Sequence, residues 1–388
     1  MTLSADALED MAGEQTGLSD FGDGSHREGL DRLVDSMNEE ADLSDEGEVM
    51  LLHRLASLLT SRLQVEDTYR TNPSIANEEV EGPVFVIGLP RTGTTALSQL
   101  VAADPQFRSL RTWESSAPCP PPESTTEHTD PRIAETEAGL TMMNEMFPLM
   151  QTMHHAEATT ATECQDLLGM SFRTVHFDGF ARVPCYLAWV TESDMRPTYL
   201  YHRRVLHLLQ WHCPPRLWHL KTPVHMFSLD ALMNAYPEAK FLWSHRDPAK
   251  VLGSVCSLIH YCRSWASDRD DAMELGAEQL ERWWLGVSRA MDFRARVGDE
   301  RFADVAFADL QTDPIGTLDA AYERVGLSFP DASRRAVSVW ASGHEPGAHG
   351  THTYDLADFG LEAGQVRERF APYLEAFAAE VEETRPGG

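Results

Sequence analysis

The sequence predicts an α/β fold in which a central, mainly parallel sheet is covered by helices on both faces. Short apolar runs typical of strands occupy residues 83–88, 107–112, 217–221, 241–244 and 304–307, and segments of helical periodicity separate them. Strands that alternate with helices favour parallel pairing, because each helix carries the chain back across one face of the sheet. With 388 residues and 42% hydrophobic content, the chain can bury a core of this size.

Residues 1–80 are predicted to form a helical extension that lies outside the sheet. Apolar residues recur at helical spacing in two stretches, one before and one after the acidic segment 39–47. The members are Leu30, Leu33, Met37, Met50, Leu51, Leu55, Leu58 and Leu59. The remaining chain, residues 81–388, is then predicted to be the α/β domain.

Residues 131–212 are predicted to be a mostly helical insert between the second and third strands. Ile133, Leu140, Met143 and Met146 share one face of a helix, and a stretch rich in methionine, histidine and aromatic residues follows. Such side chains more often belong to a core than to a pocket, although some of them can line an apolar site. The members are Phe147, Met150, Phe172, Phe177, Phe180, Tyr186 and Trp189.

The most specific motif is the stretch 84–97, where an apolar strand leads through a glycine-bounded loop into a helix. Gly88 and Gly93 have the spacing of a P-loop, in which backbone N–H groups and a helix N-terminus converge on a phosphate. Thr94 stands where an ATPase or GTPase carries the lysine that reaches the β- and γ-phosphates, and the cation of the loop is Arg91. The sequence therefore predicts a P-loop-like, three-layer fold without ordinary NTPase chemistry.

The loop residues Arg91, Thr92, Gly93, Thr94 and Thr95 resemble the 5′-phosphosulfate loop of sulfotransferases. Members of this family transfer a sulfuryl group from 3′-phosphoadenosine 5′-phosphosulfate (PAPS) and release 3′,5′-adenosine bisphosphate (PAP). The arginine in the loop is similar to that of the bacterial and tyrosylprotein-type branch. The resemblance implies that the loop amides and the two threonine hydroxyls hold the 5′-phosphate.

Two further segments carry the resemblance. Arg246 ends a short apolar strand and Ser254 follows eight residues later, which resembles the family's clamp on the 3′-phosphate. Lys221 matches the family's catalytic lysine. The resemblance implies an in-line displacement in which Arg91 and Lys221 neutralise the departing phosphate, and Lys221 gives up the proton because a guanidinium does not readily do so.

Two residues compete for the role of the base that takes the acceptor's proton. Glu114 follows the second strand, where members that use a carboxylate carry their base, and it is the favoured candidate. His225, four residues after Lys221, is the rival, since a nearby histidine is the base in the cytosolic branch. Each also has a structural interpretation, Glu114 as a helix-capping acid and His225 as a histidine packed against the sheet.

The net charge of −29 and the pI near 4.8 argue against a nucleic acid or an anionic membrane as a partner. No run of about 20 apolar residues occurs, so stable membrane insertion is not expected. The predicted acceptor is a small apolar molecule, namely a lipid, a phenol or a hydrophobic alcohol. The sequence leaves the oligomeric state open, a homo-oligomer included.

Six scattered cysteines without a CxxC pair are expected to be reduced and buried, and the predicted localisation is cytoplasmic. The histidines lack the spacing of metal ligands, so no metal is expected. His349, His352 and Tyr354 resemble a tail that closes over the donor in bacterial members. The alternatives to a sulfotransferase are a kinase-like nucleotide-binding protein and a P-loop protein that binds without catalysing.

Overall fold

The computed structural model describes residues 3–153, 156–214, 216–269, 271–344 and 354–381. Helices precede the first strand, and most of the apolar positions predicted for them are buried, with Met50 half-buried. These elements are α1 (Ala5–Thr16), α2 (Arg27–Glu40), α3 (Asp45–Thr71) and a 3₁₀ turn (Pro73–Asn77). The hydroxyl of Ser44 caps α3 by accepting a hydrogen bond from the Gly47 amide at 3.0 Å.

The first part of the sheet domain and the insert then follow along the chain. The first part contains β1 (Val84–Gly88), α4 (Thr94–Ala102), β2 (Phe107–Ser109) and α5 (Thr112–Ser116). The insert contains α6 (Pro131–Met146), α7 (Met150–Met153), α8 (Gln165–Gly169), a 3₁₀ turn (Val175–Gly179), α9 (Pro184–Glu192) and α10 (Arg196–Gln210). The insert is thus mostly helical in its described residues.

The chain then returns to the sheet. This part contains β3 (Leu217–Lys221), a 3₁₀ turn (Pro223–Phe227), α11 (Leu229–Ala235), β4 (Lys240–His245), α12 (Pro248–Arg263), α13 (Ala272–Val297) and β5 (Phe302–Ala306). The C-terminal part contains α14 (Phe307–Thr312), α15 (Pro314–Arg324), α16 (Asp331–Gly343), a 3₁₀ turn (Leu356–Phe359), α17 (Ala363–Arg369), α18 (Ala371–Ala376) and α19 (Ala378–Val381).

The five strands form one parallel sheet in the order β2-β3-β1-β4-β5. Successive side chains of β1 point to opposite faces. Phe85 and Ile87 pack into a large core shared with α2, α3 and the insert, whereas Val84 and Val86 pack into a smaller core with α4 and α15. The predicted three-layer α/β fold is therefore confirmed.

Arg62 of α3 joins the N-terminal helices to the insert. The side chain is fully buried, and its guanidinium donates to the carbonyls of Phe21 at 2.7 Å and Met170 at 3.2 Å. The same guanidinium lies 4.0 Å from the ring centroid of Tyr201. A buried cation with these partners fixes the two regions to each other.

Two strands differ from the prediction by two or more residues at one end. The second strand ends at Ser109 rather than at residue 112, because Thr112 opens α5. The last strand runs from Phe302 to Ala306, and Phe307 already belongs to α14. In both places a helix follows a short strand within a few residues. The apolar pattern does not show where the strand ends and the helix begins.

Residues that the sequence analysis placed in one group differ in their burial in the structure. Phe172, Phe177 and Tyr186 are core residues, whereas Phe147 is only half-buried. All six cysteines are free, but Cys185 is exposed, so the expectation that every cysteine is buried was wrong. No helix in the described part of the chain is long and apolar enough to cross a bilayer.

Candidate active site

Three adjacent strands bring the candidate site together. Because β3, β1 and β4 are parallel neighbours, their carboxyl ends meet at one edge of the sheet, where α/β proteins commonly bind ligands. The loop after β1 carries Arg91, β3 ends on Lys221, and Arg246 follows β4 directly. Residues far apart in the sequence therefore converge on one loop.

The two loop glycines are required by close approaches and by their backbone angles. Gly88 has φ +142° and Gly93 has φ +86°. A Cβ atom at position 88 would lie 2.5 Å from the Ser244 hydroxyl oxygen, and one at position 93 would lie 2.9 Å from the Phe307 ring. The loop is thus wrapped closely between β4 and α14.

The threonines of the loop have different roles. The Thr92 hydroxyl is buried and lies 2.7 Å from both the Leu89 carbonyl and the Ser244 hydroxyl, so it stabilises the loop. Thr94 opens α4, whose first amides have no partners within the helix, and Thr95 is exposed beside it. The start of α4 can therefore offer N–H groups and the Thr95 hydroxyl to an anion.

Arg91 connects the loop to the helix after β4. Its Nε donates to the Ser254 hydroxyl at 3.1 Å, and its Nη1 donates to the Met153 carbonyl at 2.8 Å. Arg246 lies alongside, donating to the Arg91 carbonyl at 3.5 Å, with its guanidinium 4.1 Å from the Phe307 ring centroid. Two guanidiniums and a hydroxyl thus occupy one small region.

The electrostatics of this region suit an anion. Arg91 keeps part of its surface open to solvent, yet crowding in the loop desolvates its guanidinium and lowers its pKa. The positive charge of Arg246 lowers that pKa further, while Tyr354 opposes the shift. Because two like charges face each other, a bound phosphate would relieve their repulsion.

Lys221 lies on the other side of the loop. Its side chain is nearly buried, and Nζ donates to the Thr95 hydroxyl at 3.2 Å and to the Glu163 carboxylate at 2.6 Å. Glu163 also accepts from the Thr222 hydroxyl at 3.0 Å and from the Gln165 amide at 2.9 Å. The ammonium therefore bridges the P-loop-like loop and a carboxylate.

The backbone on each side of Glu163 is fixed. The Thr162 amide donates to the Leu110 carbonyl at 2.8 Å, and the Cys164 amide donates to the Lys221 carbonyl at 3.0 Å. The Glu163 side chain keeps 19% exposure. The sequence analysis missed this residue, because it belongs to no motif and lies 58 positions from Lys221.

A model of the sulfotransferase family matches residues 83–331, which are most of the chain and include the whole site. The chain belongs to the sulfotransferase family. Sulfotransferase STF1 from Mycobacterium tuberculosis is 34% identical, with a TM-score of 0.87 over 96% of this chain and 99% of that one. Sulfotransferase STF9 from Mycobacterium avium is 31% identical, with a TM-score of 0.87 over 99% of both chains.

Curated relatives include the omega-hydroxy-beta-dihydromenaquinone-9 sulfotransferase Stf3 of Mycobacterium bovis and of Mycobacterium tuberculosis. Each is 25% identical over 253 residues, and the match spans 63% of this chain and 63% of the relative. The predicted family is thus confirmed, and the kinase-like alternative is left without support.

The sulfotransferase holds Glu114 away from solvent. This carboxylate is fully buried and accepts from the guanidiniums of Arg108 and Arg111, each at 2.7 Å. Its second oxygen accepts from the Arg111 amide at 3.1 Å, which caps α5. The geometry favours the structural interpretation of Glu114, because the buried Arg108 and the half-buried Arg111 both pair with the carboxylate.

His225 is also enclosed. Its ring is fully buried, shares a hydrogen bond of 2.9 Å with the Tyr199 hydroxyl, and packs edge-on against Phe85 with ring centroids 5.0 Å apart. Burial, with the nearby His202, lowers its pKa well below the ordinary value, so the ring is neutral. With no exposed surface, the imidazole has no route to an acceptor hydroxyl in this conformation.

The C-terminal segment reaches the donor region through Tyr354. Its hydroxyl donates to the Lys250 carbonyl at 2.9 Å. A Cβ atom at Gly253, next to Ser254, would lie 2.7 Å from the Tyr354 ring. His349 and His352 lie outside the described residues. Among the residues that are described, no group of three His, Cys, Asp or Glu side chains could hold a metal ion.

Proposed function

We propose that this sulfotransferase moves the sulfuryl group of PAPS to a hydroxyl, or an amine, of a small apolar acceptor by in-line displacement. The observation that carries the proposal is the convergence of Arg91, Lys221, Arg246 and Ser254 on one glycine-bounded loop. The cations of Arg91, Lys221 and Arg246 lie together at one edge of the sheet, although the protein has a net charge of −29. Such a local positive site in an acidic protein supports a specific anionic ligand.

The residues present fit a nucleotide with phosphates at both ends of its ribose. The 5′-phosphosulfate is held by the Arg91 guanidinium, by the amides of Thr92 to Thr95 and by the hydroxyls of Thr94 and Thr95. Arg246 and Ser254 bind the 3′-phosphate. Gly88 supports this fit, because a side chain there would collide with Ser244 and push the loop away from β4.

We assign the base to Glu163 rather than to Glu114 or His225. The donor supplies an activated sulfuryl group and a phosphate that leaves. Glu163 takes the proton of the acceptor hydroxyl while the oxygen forms a bond to sulfur. The bond between sulfur and the 5′-phosphate oxygen breaks, its electron pair stays on that oxygen, and Lys221 protonates the oxygen or neutralises its charge.

The contact between Glu163 and Lys221 supports this assignment. Their side chains are 2.6 Å apart, so the proton that Glu163 gains can pass to Lys221 and restore both charges. Thr222 and Gln165 donate to the same carboxylate and orient it. Glu163 also keeps an exposed surface from which an acceptor can be reached, which Glu114 and His225 lack.

A lipid-like acceptor is supported by the curated relatives, which are omega-hydroxy-beta-dihydromenaquinone-9 sulfotransferases. The methionines and aromatics of the insert are consistent with an apolar acceptor of this kind. A phenol or another hydrophobic alcohol fits the same chemistry. We place the reaction in the cytoplasm, where the activated sulfate donor is made.

Calorimetric titration of the purified protein with PAP, without added metal, tests the proposal. ATP and adenosine 5′-phosphate are the controls. Micromolar binding of PAP alone is expected, because only PAP engages the loop and the Arg246–Ser254 pair together. No PAP binding, or tighter binding of ATP, would contradict the proposed donor. PAP binding without turnover of any lipid, phenol or alcohol acceptor would favour a non-catalytic P-loop protein.

A further inference from the structure

A group of exposed apolar side chains lies on the insert, in the segment that leads to Met153. Met142 is 58% exposed, Met146 57% and Leu149 47%. Met142 and Met146 are four residues apart in α6 and therefore lie on one face of that helix. We call these three side chains the α6 apolar face. Exposed large apolar side chains grouped in this way commonly mark an interaction surface.

The helix that carries this face has a single buried residue, near its N-terminal end. Arg132, the buried residue of α6, donates to the carbonyls of Ala117 at 2.8 Å and Pro120 at 2.7 Å. A helix with so little burial is ordinarily polar along its whole length. The C-terminal half of α6 departs from that rule, so its apolar residues call for a partner.

The chain after α6 contacts the glycine-bounded loop that carries Arg91. Phe147 stacks on Trp265 with ring centroids 3.8 Å apart, which fixes the end of the helix to the sheet domain. Met153 then presents its carbonyl to the Arg91 guanidinium at 2.8 Å. The segment that carries the α6 apolar face is therefore linked, through Met153, to the Arg91 guanidinium.

We propose that the α6 apolar face binds the hydrocarbon chain of the acceptor and holds its hydroxyl near Glu163, an inference that rests on the proposed function. The segment 140–153 carries a single charged residue, Glu145, so it complements an uncharged chain. The protein's charge of −29 opposes an anionic bilayer in the same place. Methionine side chains adapt to hydrocarbon of irregular shape.

The test uses a dodecanol derivative with a fluorescent group at the far end, kept below its micelle concentration and titrated into protein saturated with PAP. Fluorescence anisotropy reports binding. The test variant combines Met142→Gln, Met146→Gln and Leu149→Gln. We expect its affinity for the probe to fall roughly tenfold or more, because three apolar contacts are lost.

The matched control combines Met273→Gln, Val297→Gln and Val339→Gln, which are equally exposed apolar positions outside the insert. The control is expected to bind the probe like the unchanged protein. Thermal unfolding of all three proteins should agree, because every substituted side chain is exposed. Equal affinities in the test variant and the control, or no binding by the unchanged protein, would overturn the proposal.

Two other possible occupants of the α6 apolar face, a second copy of the chain and a membrane, would each give a different experimental result. If the substitutions turn a dimer into a monomer without changing probe affinity, a second copy covers the face. If they abolish binding to phosphatidylcholine vesicles but not to the monomeric probe, the face docks on a membrane. Either result overturns the proposal. PAP binding is measured on the same samples, so a failure of the donor assignment is seen separately.

Discussion

Glu114 and Glu163 are two ion-paired carboxylates in neighbouring regions with different surroundings. Glu114 is sealed in the interior between Arg108 and Arg111, with no exposed surface. Glu163 lies at the carboxyl edge of the sheet, pairs with Lys221 and keeps 19% exposure. Leu110 connects the regions, since its carbonyl accepts from the amide next to Glu163.

The comparison shows that burial and the nature of the partner decide what a carboxylate can do. Two guanidiniums enclose Glu114, and on our proposal its charge serves stability. The partner of Glu163 is an ammonium that also donates to Thr95 at the start of α4, and under the proposed function the Glu163 carboxylate takes part in catalysis. We therefore expect substitutions at the open edge to change turnover and substitutions in the interior to change stability.

The largest effect is expected at Glu163. Glu163→Gln should lower kcat about 10³-fold, within the usual contribution of a general base, and leave PAP affinity unchanged. The acidic limb of the pH–kcat profile should disappear, which a purely structural role would not cause. Glu157→Gln, at an exposed position of the same segment, is the control. Normal turnover of the Glu163 variant would remove it from the mechanism.

The matching substitution in the interior is Glu114→Gln. It leaves Arg108 and Arg111 without their carboxylate, and we expect a loss of about 3 kcal/mol in the free energy of unfolding. Chemical denaturation measures this loss. Asp194→Asn, which weakens an exposed pair with Arg196, should cost less than about 1 kcal/mol. A stable but inactive Glu114 variant would return the catalytic role to that residue.

The contrast between buried and exposed groups also predicts how stability depends on pH, because the chain contains buried histidines. His202 is fully buried, and burial lowers its pKa to about 3, against about 6.5 in the unfolded chain. As the pH falls below 6.5, His202 becomes protonated in the unfolded state but stays neutral in the native state. The free energy of unfolding therefore falls. Between pH 6.5 and 5 this histidine should cost about 2 kcal/mol.

His202→Gln should therefore flatten the dependence of unfolding free energy on pH by about that amount, whatever it does to stability at neutral pH. Denaturation at a series of pH values measures the slope. His128→Gln is the control, because His128 is 83% exposed. An unchanged slope in the His202 variant would mean that His202 is protonated in the native state or titrates alike in both states.

The smallest effect is expected at Arg246, which we propose binds the 3′-phosphate of the donor. Arg246→Ala should weaken PAP binding about tenfold, or about 1.4 kcal/mol, because one charged partner of the 3′-phosphate is lost. Affinity for adenosine 5′-phosphosulfate, which lacks that phosphate, should stay the same. Calorimetry on both ligands measures the difference. Equal losses for the two ligands would contradict the placement of Arg246.

Sequence patterns predicted the parts of the fold that are local. The strand, loop and helix around Gly88 and Gly93 follow each other in the chain, and their residue types report their geometry directly. The spacing of Arg246 and Ser254 along one strand and one helix is also local, and in the structure the Ser254 hydroxyl accepts from Arg91. The resemblance to the family rests on the same local signals, whereas the order of the strands comes from the structure.

Contacts between distant segments could not be predicted in this way. Glu163 owes its place to two backbone hydrogen bonds from its neighbours, one to Leu110 and one to Lys221, and no local pattern encodes them. The two guanidiniums around Glu114 and the burial of His225 are equally tertiary properties. The sequence could name candidate bases, but only packing distinguishes an enclosed group from an accessible one.

Arg91 has a positive φ of 68°, a conformation that costs a residue with a side chain about 1 kcal/mol relative to glycine. A search for thermostable variants should therefore favour glycine at this position, since glycine relaxes the backbone. The same exchange would remove the guanidinium that faces Ser254. Under the proposed function, stability and activity are in conflict at this residue, and engineering for heat resistance has to leave this strain in place.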